Sequence, residues 1–558
     1  MEQLMSSRVT RRAGVFVLAV VLLVNAYLFT QRWPIQIRPG ASSVSSSDAA
    51  STSKSALAPQ ATHITSGSGG LETEAPIVQV PTLPSLKKQQ STYLRHLFKQ
   101  LDDAKPDCPG PSLRKDVGGI GYEPVEDRPR PDYISNVDEM REPLTKSHEK
   151  FVVGIKEISD LPYHSGTRGI VSSAGGNYMP TFVSSLRMIR RTGCTLPVEV
   201  FLIDWDEFEP YICEVVLPKL NAKCVVLQEM LEDAHFSKDG QSVKIEGFQI
   251  KPFAMILSSF DTFIWMDSDC IPLYDPETLL DAEPFTSTGL VTWPDFWQNS
   301  AHSLYFNISG QPEPSMIERA STESGIVLMS KQKHAETLAL CVYYNYWGPT
   351  YYWTLLGQGA FGSSGDKETF VQAASALGAD FYAVSEPIAD AKYLTEDGDY
   401  KFGAMVQADP TEDYKLTRQG IWRVLDRGLA KAPRVFFVHA SNPKFNAGSD
   451  ILDLLKLNDD QWGRVWAGPD HVTSRFGYDV EKPYWEELMN VTCSLEHAFI
   501  AWQHKNGLCE GVQRYWNTTM MNPDTPVPPF VNNTVVLSAP SPVMATGKET
   551  TPTPHARK

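Results

Sequence analysis

The chain has 558 residues, enough for two or three average domains, and 42% hydrophobic content with 13 Trp supplies a large packed core. A net charge of −16 speaks against a nucleic-acid binder, which needs a basic face, and an anionic ligand would depend on locally placed Lys, Arg or a metal. At the start, Arg8, Arg11 and Arg12 precede an apolar run from Ala13 to Phe29, and Arg32 and Trp33 follow it. The basic side comes first and aromatic anchors come after. This pattern predicts a cytosolic tail over 1–12 and an uncleaved transmembrane signal anchor over 13–30, with the rest lumenal; a cleaved signal peptide is the alternative. The Ser/Ala/Thr-rich stretch from Gly40 to Gly70 cannot bury enough apolar surface to fold. A largely disordered stem is therefore expected over 31–145, interrupted by a short helix over Ser91–Leu101. One folded domain follows over 146–520, then a disordered Pro/Thr-rich tail over 521–558.

Within that domain the hydrophobic pattern alternates. Gly169–Ala174 reads as a strand, and Met179–Arg191 as a helix with Phe182, Val183, Leu186 and Ile189 on one side. Val198–Asp204 is a second strand, Tyr211–Leu220 a helix and Cys224–Leu227 a third strand. Gln249–Phe260 reads as an amphipathic helix and Thr262–Asp267 as a fourth strand. Repeated strand–helix–strand units imply an α/β fold, a mostly parallel sheet flanked by helices, with ligands beyond the carboxyl ends of the strands.

Two carboxylates fall there, in Asp267-Ser268-Asp269. A turn after the strand would aim both at one hard cation, Mg²⁺ or Mn²⁺, completed by substrate phosphates. The alternative is a solvated strand end or a helix cap. Asp204-Trp205-Asp206 has similar strand context and is the runner-up. Gly357-Gln-Gly359-Ala-Phe-Gly362 matches a dinucleotide fingerprint, but no helix opens within it, so it reads as a glycine loop over a site mouth. N-glycosylation acceptors stand at Asn307, Asn490, Asn517 and Asn532. Among eight cysteines, Cys493 and Cys509 form the best candidate disulfide, with buried thiols as the alternative.

Read in order, Lys251 to Asp269, Trp293-Pro-Asp295-Phe-Trp297, Glu323-Ser324-Gly325, Asp366-Lys-Glu368 and His439-Ala-Ser-Asn-Pro-Lys444 resemble the fungal Golgi α-mannosyltransferases of the MNN type. The resemblance implies that 146–520 is a GT-A-like glycosyltransferase domain. It also implies GDP-mannose as donor, Mn²⁺ (or Mg²⁺) as cofactor, and retaining α-1,2 or α-1,3 transfer to mannose residues of glycoprotein glycans. The anchor would hold the enzyme in the Golgi membrane as a single-pass type II protein, in complex with other Golgi transferases. By residue, the resemblance assigns the metal to Asp267, Asp269 and His439. The donor falls to Asp267, Lys251, Lys444, Ser324 and Gly325, catalysis to Glu323, Asp366 and Glu368, and the acceptor to Trp293, Asp295 and Trp297. Against these stand a core histidine for His439, a helix cap for Asp366, a buried ion pair for Glu323 and a core pair for the two tryptophans. Competing functions are transfer from a UDP-sugar and an inactive lumenal sugar-binding or assembly protein.

Overall fold

The computed structural model describes residues 85–114, 118–234, 237–238, 241–242, 244–358, 365–458, 461–466 and 476–521. Chain contacts divide the sequence at Val80/Pro81, and every described residue lies in the second unit. The expected anchor over 13–30, most of the glycine loop, Asn532 and nearly all of the 521–558 tail lie outside the described residues. No helix among the described residues is long and apolar enough to cross a membrane.

The described residues open with two helices, α1 (Leu86–Asp103) and α2 (Val137–Ile155). Within the expected stem, 31–84 lie outside the described residues, while the described part from 85 to 145 departs from expectation by carrying α1 and the start of α2. Tyr93, Leu94, Leu97, Phe98 and Leu101 make one apolar face of α1, and Met140, Leu144 and Phe151 one of α2. Both faces are buried against the body. Phe98 stacks on Phe253 at 5.8 Å, and Phe151 on Tyr343 at 4.3 Å.

The main sheet uses β1 (His164–Ser173), β2 (Val198–Leu202), β3 (Ala222–Val226), β4 (Phe260–Met266), β6 (Leu290–Gln298), β7 (Ala320–Ser330) and β8 (Tyr382–Ala383). Its order is β8-β6-β7-β4-β1-β2-β3. All neighbours are parallel except β7, which runs antiparallel to both β4 and β6. Helices α3 (Met179–Arg191), α4 (Ile250–Leu257), α5 (Lys331–Tyr346) and α6 (Thr369–Leu377) accompany it. A second, antiparallel sheet has the order β9-β10-β11-β5, from β5 (Cys270–Pro272), β9 (Ala389–Leu394), β10 (Tyr400–Ala408) and β11 (Val435–His439). Helix α7 (Glu481–Leu495) packs on α3 through the buried Arg187–Glu487 pair.

The Cys493–Cys509 disulfide is formed, and Cys213–Cys224 is a second that spacing did not single out. Asn307 and Asn517 are exposed. Asn490 departs from expectation: it sits inside α7, and Thr492 of its sequon is fully buried, donating to the Leu488 carbonyl at 2.7 Å.

Candidate active site

Antiparallel β7 explains how residues far apart in sequence meet. It enters the sheet at the carboxyl edge of β4, so its first residues, Ala320–Gly325, extend past Met266. There the Asp267 amide donates to the Gly325 carbonyl at 2.8 Å. Asp269 is pinned to the other sheet, since its carbonyl accepts from the Ala440 amide at 2.9 Å and Cys270 pairs with His439. The tripeptide thus bridges two sheets, and each aspartate gathers its own cluster.

Asp267 belongs to a cation-centred cluster. Glu246 and Gln249 form a capping box ahead of α4 and place Lys251 in that helix's first turn. A cation there opposes the helix dipole and must be compensated. The Lys251 ammonium lies 3.1 Å from Asp267 Oδ1 and 3.1 Å from Asp366 Oδ2, and donates to the Ser324 carbonyl at 2.8 Å. Burial works against its charge, but Asp267 and then Asp366 outweigh burial and hold the ammonium above its ordinary pKa. Asp366 itself is raised, chiefly by burial and only partly relieved by Lys251. The Trp265 indole fixes Asp267 further, donating to Oδ1 at 2.7 Å. Trp265 precedes Asp267 by two positions and therefore shares its face of the strand.

Asp269 heads the second cluster. One of its oxygens lies 3.2 Å from His439 Nε2, and the other is paired with Lys444, which also rests 5.3 Å over the Tyr178 ring. Burial favours a neutral Asp269, yet His439 and Lys444 reverse that and pull its carboxyl far below the ordinary range. His439 Nδ1 faces Glu323 Oε1 at 2.8 Å, and the Gly325 amide donates to the same oxygen at 2.5 Å. Glu323 Oε2 is buried with no hydrogen-bond partner. His439 is thus no ordinary core histidine, and Glu323 is more than half of an ion pair. Asp269, Cys270 and His439 bring their ligand atoms within 4.8 Å of one another. Burial pushes the Cys270 thiol up to about 12, so the carboxylate and imidazole are the groups suited to a hard cation.

Other expected site residues are used elsewhere. Glu368 spends its carboxylate on Arg319 at 2.7 Å, the Thr322 amide at 2.6 Å and Asn299 at 3.2 Å, and so shapes β7 from behind. Trp293 is buried against Phe437, and its indole donates to the Ala408 carbonyl at 2.9 Å, which gives it the core role set against acceptor binding. Asp295 pairs with Lys367 at 2.6 Å, while Trp297 is half-buried in a bridge to Gly121. Asp366 does not cap α6 with its side chain; the carboxylate turns to Lys251 and Ser324 instead. The runner-up is dismissed by its geometry: Asp204 is an N-cap that accepts from the amides of Asp206 and Glu207. Trp265, Tyr178 and Lys367 were missed, although the two-residue spacing of Trp265 from Asp267 was visible.

A mostly parallel sheet flanked by helices, with carboxylates and cations gathered past its carboxyl edge, fits the GT-A-like α/β class. A sequence family described as "Mannosyltransferase putative" matches residues 167–322 and 314–411, the segment that carries β1 through Asp366. Among curated proteins, the chain is similar to fungal alpha-1,2-mannosyltransferases. It is 30% identical over 426 residues to alpha-1,2-mannosyltransferase MNN21 of Candida albicans, covering 66% of this chain and 64% of that one. It is 34% identical over 308 residues to alpha-1,2-mannosyltransferase MNN2 of Saccharomyces cerevisiae, covering 49% and 50%. The chain therefore spans less than two thirds of each relative's length. Among solved structures it is similar to the glycosyltransferase GlyE of Streptococcus pneumoniae TIGR4, with a TM-score of 0.28, 11% identity and coverage of 63% and 64%, a likeness too loose to carry weight.

Proposed function

We propose that this protein is a retaining mannosyltransferase that moves mannose from GDP-mannose to a mannose residue of a glycoprotein glycan. The observation that carries the reading is the double cluster itself: two aspartates from one strand end, each held by its own buried cation or imidazole. The printed names of the relatives favour an α-1,2 linkage. Asp269 and His439, with Asp267, would hold Mn²⁺ or Mg²⁺, because one carboxylate oxygen and one imidazole nitrogen already converge and the surroundings are built to balance charge. When bound, the cation supplies Lewis-acid neutralisation of the leaving diphosphate.

The chain's own residues do the rest. Lys251 and Lys444 place fixed positive charge where a diphosphate develops negative charge. Retention needs either a carboxylate nucleophile or same-face attack with leaving-group assistance. Glu323 is better placed for contact with the reacting sugar than Asp366, since its Oε2 is buried and unpartnered while Asp366 is committed to Lys251. The Golgi address, the single-pass type II anchor over 13–30 and association with other Golgi transferases belong to the same proposal, supported by Arg8, Arg11 and Arg12 ahead of the apolar run. Incubating the full chain with GDP-mannose and an α-mannoside, with Mn²⁺ or EDTA, tests it. EDTA-sensitive transfer with an α-mannosidic product is expected. Turnover confined to UDP-sugars would sink the mannose assignment, and no turnover of any donor would leave a sugar-binding protein.

A further inference from the structure

A cavity of about 920 Å³ lies on the β6–β8 side of the main sheet, lined by Tyr122, Asp295, Phe296, Tyr382, Trp422 and their neighbours. Its place follows from topology. The wall residue Pro294 lies opposite Thr322, and the adjacent Trp293 opposite Glu323, in the β6–β7 register. The wall residues Arg319 and Ala320 lead along β7 to Glu323. One flank of the cavity is therefore continuous with the strand segment that carries the candidate catalytic carboxylate.

Three properties define what would occupy it. Its volume is near the top of the ~300–1,000 Å³ range of small-molecule sites, which suits a row of rings better than one. Its buried charges are neutralised within the protein: Arg130 by Glu313 at 3.0 Å, Arg319 by Glu368 at 2.7 Å and Asp295 by Lys367 at 2.6 Å. Of the lining cations, Arg130 and Arg319 are already paired and only the exposed Arg427 at the rim is not, so the interior favours a neutral ligand. Its aromatic side chains include Phe296, tied to Tyr122 by a 3.0 Å backbone bond, and Trp422, which is 46% exposed. Flat apolar faces among hydrogen-bonding groups suit sugar rings, which present C–H faces and hydroxyl rims.

We propose that this cavity binds the inner residues of a neutral, linear oligosaccharide acceptor whose terminal sugar reaches Glu323, with Trp422 as a stacking platform. The role of the terminal sugar rests on the transferase reading above; the cavity's ligand does not. The test is calorimetric titration of the full chain, without donor, by α-linked mannotetraose and by free mannose. Wild type should bind the tetraose at least tenfold more tightly than mannose. Trp422→Ala should weaken tetraose binding about tenfold, and Trp422→Phe should recover most of it. Equal wild-type affinity for the two sugars, or a wild-type tetraose Kd in Trp422→Ala, would overturn the proposal. Trp422-dependent tetraose binding in a protein that turns over no donor would support the cavity and sink the transferase reading.

Discussion

A Cβ on Gly325 would sit 2.6 Å from Nδ1 of His439, so the glycine is what allows the imidazole to reach Glu323. Gly325→Ala should push His439 off both Glu323 and Asp269. Overpacking of this kind costs about 1–3 kcal/mol of stability. The expected signature is a loss of kcat of about 100-fold or more with a modest fall in Tm, measured by donor turnover and thermal melts. Retained turnover would mean that the His439–Glu323 contact is incidental.

Glu323 and Glu368 are both buried acids near the same strand, yet they should behave oppositely. Glu323→Gln should lower turnover by 100-fold or more with little change in Tm, because only one of its oxygens is engaged. Glu368→Gln should chiefly destabilise, by about 3–5 kcal/mol, since it strips the partner from the half-buried Arg319. Chemical denaturation alongside single-turnover kinetics separates the two.

Lys251 answers two carboxylates at once. Lys251→Met should leave Asp267 and Asp366 facing each other without a cation, at a cost of about 3–5 kcal/mol. Adding Asp366→Asn should return part of that loss, because the second variant removes one of the stranded charges. A double-mutant cycle by urea denaturation reads the coupling; strict additivity would show that the three groups do not act as a unit.

Much of this was legible in the sequence, and for physical reasons. The long apolar strand ending in Asp267 and the amphipathic helices read correctly because period and burial agree there. Lys251, Glu323, Asp366 and His439, named from the ordered motifs, lie close together in space although they come from three elements and a turn. What escaped notice depended on which face a side chain takes. Trp293 and Asp295 sit in a stretch where register shifts, one between Thr292 and Trp293 and one between Pro294 and Gln298, break the simple alternation, and the Trp293 indole turns inward. The helix expected over Ser91–Leu101 runs from Leu86 to Asp103, because its apolar periodicity marks only the buried middle and not the polar first turn. Lys87 and Lys88 face solvent, as a half-buried helix requires, while Gln90 is buried and donates to the Leu257 carbonyl at 2.7 Å.

Away from the site, Glu209 should set a pH slope in stability. Burial raises its carboxyl to about 7, only partly offset by the Ile500 amide that donates to it at 2.9 Å. The folded state therefore prefers the protonated acid. Its contribution is full below the ordinary value of 4.5 and is lost as pH rises through about 7. Glu209→Gln should flatten the fall in stability across that window, on the order of 1–3 kcal/mol in urea titrations at stepped pH. An unchanged slope would place the titration elsewhere.

On the proposed reading, Asp269 and His439 make the cation site. Mn²⁺ binding to the full chain, followed by electron paramagnetic resonance, tests it without relying on turnover. Asp269→Ala and His439→Ala should each lose tight Mn²⁺ binding, while Asp204→Ala, a change at a helix cap, should retain it. Wild-type Mn²⁺ affinity in Asp269→Ala, or its loss in Asp204→Ala, would place the cation elsewhere.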